Sequence, residues 1–366
     1  MAVLGTVNAM ACAPVIRHGP AEQNVLWPVY LGSPAHDMSA TARMDSLPRL
    51  AWRRHSGREV RGAPAVGQNV VAIGTTERMV VLLGADSGQV LWDHRLSGTI
   101  HGGPLLSATR VYVATEESPQ GRVYALALAS GKTVWSVKAG DVAASLALKD
   151  GQLFAGTETG QVLAIDADSG TIRWRRRVSG SVRAAPVPTA AGVFVATTDD
   201  TLYLLDPATG DVRHRAAAPG PVLATPATDG NRIYLATVSG VIAALTPGTL
   251  DTAWTLDLGV GVYGSPALAR DTLFVLTRTG RLVLVPVAAP AQSRSVELGI
   301  IAVAGPTPLA RDVLVADVAG TIRCVDALSG AERWRVSVEG PVEQPPVVRD
   351  GRLIIIGDRG EVVAYQ

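Results

Sequence analysis

The stretch Val162-Leu163-Ala164-Ile165-Asp166-Ala167-Asp168-Ser169-Gly170-Thr171-Ile172-Arg173-Trp174 carries the pattern that decides the fold. It consists of an apolar run, a turn rich in Asp, Ser and Gly, and a second extended run that ends on tryptophan. The tryptophan slot recurs at steps of 40, 43, 39, 40, 40, 40 and 40 residues, at Trp52, Trp92, Trp135, Trp174, His214, Trp254, Arg294 and Trp334. A period of this length, built from short β-rich segments, is typical of a β-propeller.

A second ladder lies twelve residues after each tryptophan slot, and seven of its eight positions hold proline. Its members are Pro64, Pro104, Ala147, Pro186, Pro226, Pro266, Pro306 and Pro346. Two ladders in register indicate eight copies of one structural unit. Because each unit needs its neighbours to cover its faces, we expect a single domain although the chain has 366 residues.

The third unit contains four extended runs, at 146–148, 153–157, 162–166 and 171–174, which are separated by turns that carry Gly. Glycine supplies the positive φ that a tight chain reversal needs. Four short strands joined by hairpins form one antiparallel blade. The sequence therefore predicts an all-β fold, an eight-bladed β-propeller of four-stranded antiparallel blades.

The two ends of the repeat complement each other. After Pro346 the chain supplies three strands and no fourth, while the strand around Trp52 precedes the first complete unit. Pairing this N-terminal strand into the last blade would close the ring without an open sheet edge. We therefore expect a truncated lipoprotein or secretion signal in 1–12, an extended N-terminal segment in 13–48 and the propeller in 49–366.

The six ladder tryptophans are predicted to dock one blade onto the next. A large ring on the outermost strand can bury roughly 200 Å² between blades, which at about 25 cal/mol per Å² contributes on the order of 5 kcal/mol before entropy. His214 and Arg294 occupy the same slot without the ring. The junctions around blades four and six are therefore expected to be the weaker ones.

The composition suits many strands that are buried on both faces, because charged residues make up 18% and hydrophobic residues 47% of the chain. The formal net charge is +1, with both signs interspersed, so no global field attracts nucleic acid. Nucleic acid is excluded as the expected partner. The propeller is expected to be monomeric by itself.

The chain has two cysteines, in different contexts. Cys324 lies in a β-like run and is predicted to be a small buried hydrophobe. Cys12 follows an apolar stretch of small residues, as the lipidation site of a bacterial lipoprotein does, although no Lys or Arg precedes it. A missing upstream start would explain that absence. Lipidation of Cys12, simple secretion and an incidental N-terminus remain three alternatives, and the absence of a long apolar segment favours a lipid over a helix as any anchor.

Catalytic chemistry is not indicated. The six histidines are scattered without the paired spacing of a metal site, and the glycines fall at turn positions and form no phosphate-binding loop. We therefore predict no catalytic, metal-binding or cofactor-binding residue, and no enzyme activity.

Partner binding is therefore expected on the loops. The link from each outer strand to the next inner strand and the second turn of each blade should share one face of the ring. Two such links are unusually apolar and one second turn carries an acidic insertion, which gives as candidates Glu116, Glu117, Val260, Val262, Tyr263, Ile300 and Ile301. For the apolar links the alternative is packing around the central channel, and for the acidic insertion it is a solvated loop.

The tail of the unit, seen in 162–174 and again in Leu204–Gly210 and Cys324–Trp334, resembles the pyrroloquinoline-quinone-type propeller repeat. The resemblance covers the chain from about residue 50 to its end and implies the propeller fold. Within this family the architecture is most similar to the BamB type, the lipoproteins of the outer-membrane β-barrel assembly machinery. Quinone-dependent dehydrogenases of the family commonly hold their cofactor with an adjacent cysteine pair, which this chain lacks.

The resemblance implies a non-catalytic scaffold in the periplasm, attached to a membrane through a lipid anchor or a partner. Its expected partners are other envelope or membrane-complex proteins, with the β-barrel assembly machinery as the most specific expectation. The alternative is an accessory subunit of another bacterial membrane complex, respiratory or photosynthetic. A quinone-dependent dehydrogenase is the least favoured interpretation.

Overall fold

The computed structural model describes residues 27, 29–37, 39–44 and 46–366. The predicted lipidation site Cys12 lies outside the described residues. Cys324 lies within a strand and is fully buried, as its sequence context predicted.

The propeller consists of eight four-stranded antiparallel sheets, which confirms the predicted fold class. In every blade the strands run from the innermost strand A to the outermost strand D. Blades one to four are β2 (Ala65–Val66), β3 (Val70–Gly74), β4 (Met79–Gly84) and β5 (Val90–Arg95); β6 (Leu105–Leu106), β7 (Arg110–Ala114), β8 (Arg122–Ala127) and β9 (Thr133–Lys138); β10 (Ala147–Lys149), β11 (Gln152–Gly156), β12 (Gln161–Asp166) and β13 (Ile172–Arg177); and β14 (Val187–Pro188), β15 (Val193–Ala196), β16 (Thr201–Leu205) and β17 (Val212–Ala217).

Blades five to eight follow the same plan. They are β18 (Ala227–Thr228), β19 (Ile233–Ala236), β20 (Val241–Leu245) and β21 (Thr252–Asp257); β22 (Ala267–Ala269), β23 (Thr272–Leu276), β24 (Arg281–Pro286) and β25 (Arg294–Glu297); β26 (Thr307–Pro308), β27 (Asp312–Ala316), β28 (Thr321–Asp326) and β29 (Glu332–Ser337); and β30 (Val347–Arg349), β31 (Arg352–Ile356), β32 (Glu361–Tyr365) and β1 (Leu50–His55). Short 3-10 turns occur at Tyr30–Gly32, Pro290–Gln292 and Asp358–Gly360.

The ring closes as the sequence predicts, because β1 pairs antiparallel with β32 and becomes strand D of blade eight. At this seam the Arg53 Nε lies 3.0 Å from the carboxylate of Glu361, whose side chain is fully buried. A buried carboxylate is costly unless it is paired. The closing strand therefore supplies the cation that this carboxylate needs.

Each ladder tryptophan docks its blade onto the next one through the same hydrogen bond. The indole Nε1–H donates to a backbone carbonyl in the turn between strands C and D of the following blade. The pairs are Trp52 to Ala85 (2.8 Å), Trp92 to Leu128 (2.8 Å), Trp135 to Ala167 (3.0 Å), Trp174 to Pro207 (2.9 Å) and Trp254 to Val287 (3.2 Å). In the absence of a C–D turn in blade eight, Trp334 donates to the Met44 carbonyl at 2.8 Å.

The recurring turn glycine has a second purpose besides chain reversal. At Gly170, where φ is +75°, an added Cβ would lie 2.6 Å from a ring carbon of Trp135 in the preceding blade. The same close approach joins Gly88 to Trp52, Gly131 to Trp92 and Gly210 to Trp174. Glycine is therefore required at these turns because the indole of the previous blade lies directly against the backbone.

The two slots without tryptophan differ from each other. At the junction of blades four and five, His214 is exposed, and Leu250 replaces the turn glycine. Leu250 has φ +62° and is only 2% exposed, because its side chain packs into the cluster shared by blades four and five. At the junction of blades six and seven, Arg294 is exposed and Gly330 retains the glycine, so neither residue fills the slot.

The residues from Trp27 to Met44 form a strap that crosses the central channel. Its backbone bonds to the innermost strands of several blades: Trp27 pairs with Leu106, the Pro34 carbonyl accepts from Thr228, and the Ala35 carbonyl accepts from Leu268. Ser39 exchanges hydrogen bonds of 2.9 Å with the backbone of Val348. The strap therefore ties together blades that lie across the ring from one another.

Two aromatic side chains of the strap, Trp27 and His36, are enclosed by the propeller, and a third, Tyr30, is partly buried. Trp27 is 1% exposed, and the Arg349 guanidinium lies 5.8 Å from the centre of its ring. Burial raises the pKa of Tyr30 to about 12. His36 donates from Nδ1 to the Pro266 carbonyl at 2.8 Å, and burial lowers its pKa to about 4.

Substitutions at His214 and Leu250, at the junction of blades four and five, test the docking mechanism. Leu250→Gly should lower the free energy of unfolding by about 2 kcal/mol or more because it leaves a cavity. Adding His214→Trp should restore much of this loss, since the indole can then pack against the new glycine. His214→Trp alone should give no gain, because Leu250 fills the space. Denaturant unfolding of the four proteins measures the coupling, and purely additive effects would contradict the mechanism.

The buried His36 predicts a loss of stability in acid. Its pKa in the folded protein lies below the ordinary value of 6.5. Between these two pKa values the unfolded chain binds a proton at this residue and the folded chain does not. Stability should therefore fall as the pH drops from about 6.5 to about 4, by about 3 kcal/mol from this residue. In His36→Asn the pH dependence of unfolding should flatten, whereas exposed His214→Asn should leave it unchanged. An unchanged slope in His36→Asn would refute the assignment.

Candidate interaction surface at the mouth of the central channel

The propeller has two unlike faces. The link face carries the D–A links between blades and the B–C turns within them, and the turn face carries the A–B and C–D turns. Backbone hydrogen bonds join links to B–C turns, as from Glu158 to Asp141 (2.9 Å) and from Thr198 to Ser181 (3.0 Å). All seven candidate partner-binding residues lie in segments of the link face.

The mouth of the channel on the link face is narrow because small residues let the inner strands converge. An added Cβ on Gly102 would lie 2.5 Å from the Ala144 carbonyl oxygen, and one on Gly264 would lie 2.3 Å from the Gly305 nitrogen. The mouth holds a cavity of about 190 Å³ that residues of all eight blades line, with Tyr30 of the strap among them. The channel is therefore a shallow dish backed by the strap.

The channel does not fit a quinone cofactor. Trp27 of the strap is 1% exposed inside the ring, and the partly buried Tyr30 lines the mouth of the channel. Across 27, 29–37, 39–44 and 46–366 no cluster of three or more His, Cys, Asp or Glu side chains is arranged to hold a metal ion. The chain's own aromatic side chains thus take up the space that a cofactor would need.

The rim of the dish is formed by the residue three places before each member of the proline ladder. Those that line the cavity are His101, Ala144, Arg183, Leu223, Tyr263, Val303 and Glu343, and the exposed Arg61 has the same position in the link that leads to blade one. Charged and polar side chains occupy the rim in most of blades one to four and in blade eight, and apolar ones in blades five to seven. The link face is thus divided into two sectors.

The apolar sector comprises the links and B–C turns of blades five to seven. Its exposed apolar side chains are Leu223 (37%), Tyr263 (42%), Ile301 (55%) and Val318 (38%). The backbone N–H of Val318 donates to the Ile301 carbonyl at 3.0 Å, so these two residues lie side by side. The Arg278 guanidinium lies 5.1 Å from the centre of the Tyr263 ring, which holds the ring at the rim.

The structure separates the predicted apolar candidates into two groups. Val262 (1% exposed) and Ile300 (6%) are buried in the blade packing, and Val260 is half-buried. Tyr263 and Ile301 are exposed. The sequence alone did not give the direction of each side chain in these loops, and it did not single out the exposed Leu223 and Val318. The rim position in the proline ladder was the signal that could have identified Leu223.

The other sector, which carries charged and polar side chains and is called the polar sector, contains the predicted acidic insertion in blade two. The Glu116 carboxylate lies 3.0 Å from His101 Nδ1, and the Glu117 backbone N–H donates to the Asp141 carboxylate at 2.9 Å. Both glutamates are half-buried. The insertion is thus anchored to its neighbours, and its carboxylates are presented from a fixed position.

Comparison with known families fits this architecture. A family model described as outer membrane protein assembly factor BamB matches residues 47–120, 119–203, 187–289 and 291–366, which together span the propeller. The chain belongs to the BamB family. Outer membrane protein assembly factor BamB of Nitrosomonas eutropha is 25% identical over 181 residues. That match spans 43% of this chain and 43% of the relative, so the chain matches less than half the length of this relative.

Solved structures share the fold at low identity. BamB from Moraxella catarrhalis superposes with a TM-score of 0.74 and 17% identity, covering 87% of this chain and 100% of that one. Quinohemoprotein alcohol dehydrogenase from Comamonas testosteroni gives a TM-score of 0.76 and 14% identity, covering 94% of this chain and 80% of that one. At such identities the likeness establishes the propeller alone. In the part of the chain that the structure describes, no helix has the length and apolarity to cross a bilayer.

The occupied channel predicts that added quinone will not bind. Purified protein incubated with pyrroloquinoline quinone and Ca²⁺ should retain no stoichiometric quinone after gel filtration, because the strap aromatics fill the site. Absorption spectroscopy of the protein fraction measures retention. A stoichiometric quinone chromophore would overturn the exclusion.

Proposed function

We propose that the protein is a non-catalytic scaffold of the bacterial periplasm with a BamB-like role in the assembly of outer-membrane β-barrel proteins. Membership of the BamB family supports the assembly role. Cys12 would carry a lipid anchor in this role, or a partner would hold the protein at the membrane.

The single observation that carries the proposal is the strap inside the channel. Trp27, which is 1% exposed, and the partly buried Tyr30 occupy the channel and leave only the shallow cavity of about 190 Å³ at its mouth. A propeller whose channel is filled offers its loops as the remaining functional surface. A binding scaffold uses such a surface, whereas a cofactor-dependent oxidoreductase would need the channel.

The apolar sector is the proposed docking site for the partner. Tyr263, Ile301, Leu223 and Val318 expose apolar area on a rigid ring, next to links that carry almost no charge. Binding energy in protein interfaces concentrates in such apolar and aromatic side chains when their surroundings exclude water. Glu116 and Glu117, across the dish, would orient a basic region of the same partner.

Copurification from native membranes tests the proposal. The protein carries a C-terminal tag, membranes are solubilised gently, and mass spectrometry identifies the proteins recovered in stoichiometric amount. We expect the β-barrel assembly proteins. The double variant Tyr263→Ser/Ile301→Ser should reduce their recovery at least about tenfold, since each loses a buried apolar contact.

The matched control changes equally exposed apolar residues away from the link face. Val90→Ser/Val212→Ser replaces side chains that are 39% and 44% exposed on outer strands, and should leave recovery unchanged. Recovery of a respiratory or photosynthetic complex without the assembly proteins would overturn the BamB-like role. Equal losses in both double variants would overturn the docking site.

A further inference from the structure

The junction of blades six and seven contains a cavity, and comparison with the other junctions shows which side chain is missing there. It has a volume of about 350 Å³ and opens on the turn face, and Phe274, Leu284 and Ala327 are among its walls. This volume lies at the lower end of the range for ligand pockets. The slot residue Arg294 is exposed and does not line it.

The equivalent positions in blade three show which site of the repeat this cavity occupies. In blade three the Trp174 ring lies 6.1 Å from the Phe154 ring, stands opposite Ala164 in the strand ladder and donates to the Pro207 carbonyl. Three repeats later, 120 residues along the chain, the same positions hold Phe274, Leu284 and Ala327. The cavity is therefore a tryptophan socket that lacks its tryptophan.

Features of this socket that normally meet an indole are retained. The carbonyls equivalent to that of Ala327 accept an indole N–H in five other blades, whereas no donor among the described residues reaches the Ala327 carbonyl. Val296 covers Gly330, so the open part of the socket is the part bounded by Phe274, Leu284 and Ala327. At the other slot without tryptophan, Leu250 fills the space.

The rim of the socket carries positive charge. Asp312 and Asp326 are both paired with Arg333, at 2.6 and 2.9 Å. Arg270 and Arg311 are exposed at the rim and form no ion pair among the described residues. Acidic residues on either side of an inserted ring would therefore find cationic partners.

The chain cannot supply the missing ring itself. Its seven tryptophans are the six of the ladder, each of which donates its indole N–H at its own junction, and Trp27, which is enclosed by the ring. A second copy of the chain has the same residues in the same places. A tryptophan from a different polypeptide is therefore the occupant to consider.

We propose that this socket binds a tryptophan side chain that a partner protein presents within an acidic segment, with the indole N–H donated to the Ala327 carbonyl. Leu328, which is 67% exposed at the rim, would cover the outer edge of the inserted ring. The site lies on the turn face, so it is separate from the docking site proposed on the link face.

Methyl NMR of the full chain with a short peptide probe tests this inference. The probe is acetyl-Glu-Asp-Trp-Asp-Glu-amide, titrated into protein labelled at Ala and Leu methyl groups. We expect saturable shifts at Leu284, Ala327 and Leu309, and none at Leu250 of the filled slot. The peptide with phenylalanine in place of tryptophan should bind about fivefold more weakly, because it lacks the N–H donor.

Titrations with small molecules and two protein variants then show which group of the peptide is recognised and where it binds. Indole should shift the same methyl groups, and 1-methylindole, which has no N–H, should do so about fivefold more weakly. Arg294→Trp should fill the socket from within, abolish peptide binding and raise the Tm, whereas Arg311→Gln should weaken the peptide and leave indole unaffected.

The inference fails if the peptide leaves these methyl groups unshifted while indole shifts them, since the socket would then bind a small molecule. It also fails if indole and 1-methylindole bind equally. If Arg294→Trp does not raise the Tm, the peptide and indole titrations of the unchanged protein still decide the matter. Loss of copurification through the link face would leave this test unaffected.

Discussion

The architecture depends on one interaction, the hydrogen bond from an indole N–H in one blade to a backbone carbonyl in the next. The ring of the tryptophan buries apolar surface between the blades, and the bond fixes its orientation. At four junctions the neighbouring turn then carries glycine, since an added Cβ at Gly170 or Gly210 would lie 2.6 Å from a ring carbon, whereas Trp254 docks on a turn that holds Pro290 at this position. This contact links the tryptophan position of the repeat to the turn glycine of the next blade. At the junction of blades four and five both positions change together, because His214 replaces the tryptophan and Leu250 replaces the glycine.

A ring of similar blades must be closed at its seam, and its central channel must be packed or left open. The N-terminal part of the chain both closes the seam and enters the channel. Strand β1 completes blade eight, and Met44 supplies the carbonyl that Trp334 needs in the absence of a C–D turn. The strap then enters the channel, where Trp27 is enclosed by the inner strands and the partly buried Tyr30 lines the mouth. Closure and filling of the channel are therefore consequences of one continuous segment.

The solved structures that share this fold include both a BamB and a quinohemoprotein alcohol dehydrogenase. Because the propeller itself is common to both, the fold cannot decide between a scaffold and an enzyme. The contents of the channel bear on that question directly. With the axis occupied, what remains is a link face divided into apolar and polar sectors and a turn face with the open tryptophan socket. Both are the surfaces through which the proposed scaffold would bind other proteins.

The sequence by itself determined the number of blades, the strand order and the closure of the ring, because each repeat contains the same local pattern of turns and tryptophan slots. It also identified the loops that carry Tyr263 and Ile301. Only the tertiary structure decided that Val262 and Ile300 point inward, that the strap fills the channel, and that one empty slot is closed by Leu250 while the other stays open. These features rest on contacts between distant residues, such as His36 with Pro266 and Trp334 with Met44. Such contacts occur once in the chain, so they leave no periodic trace in the sequence.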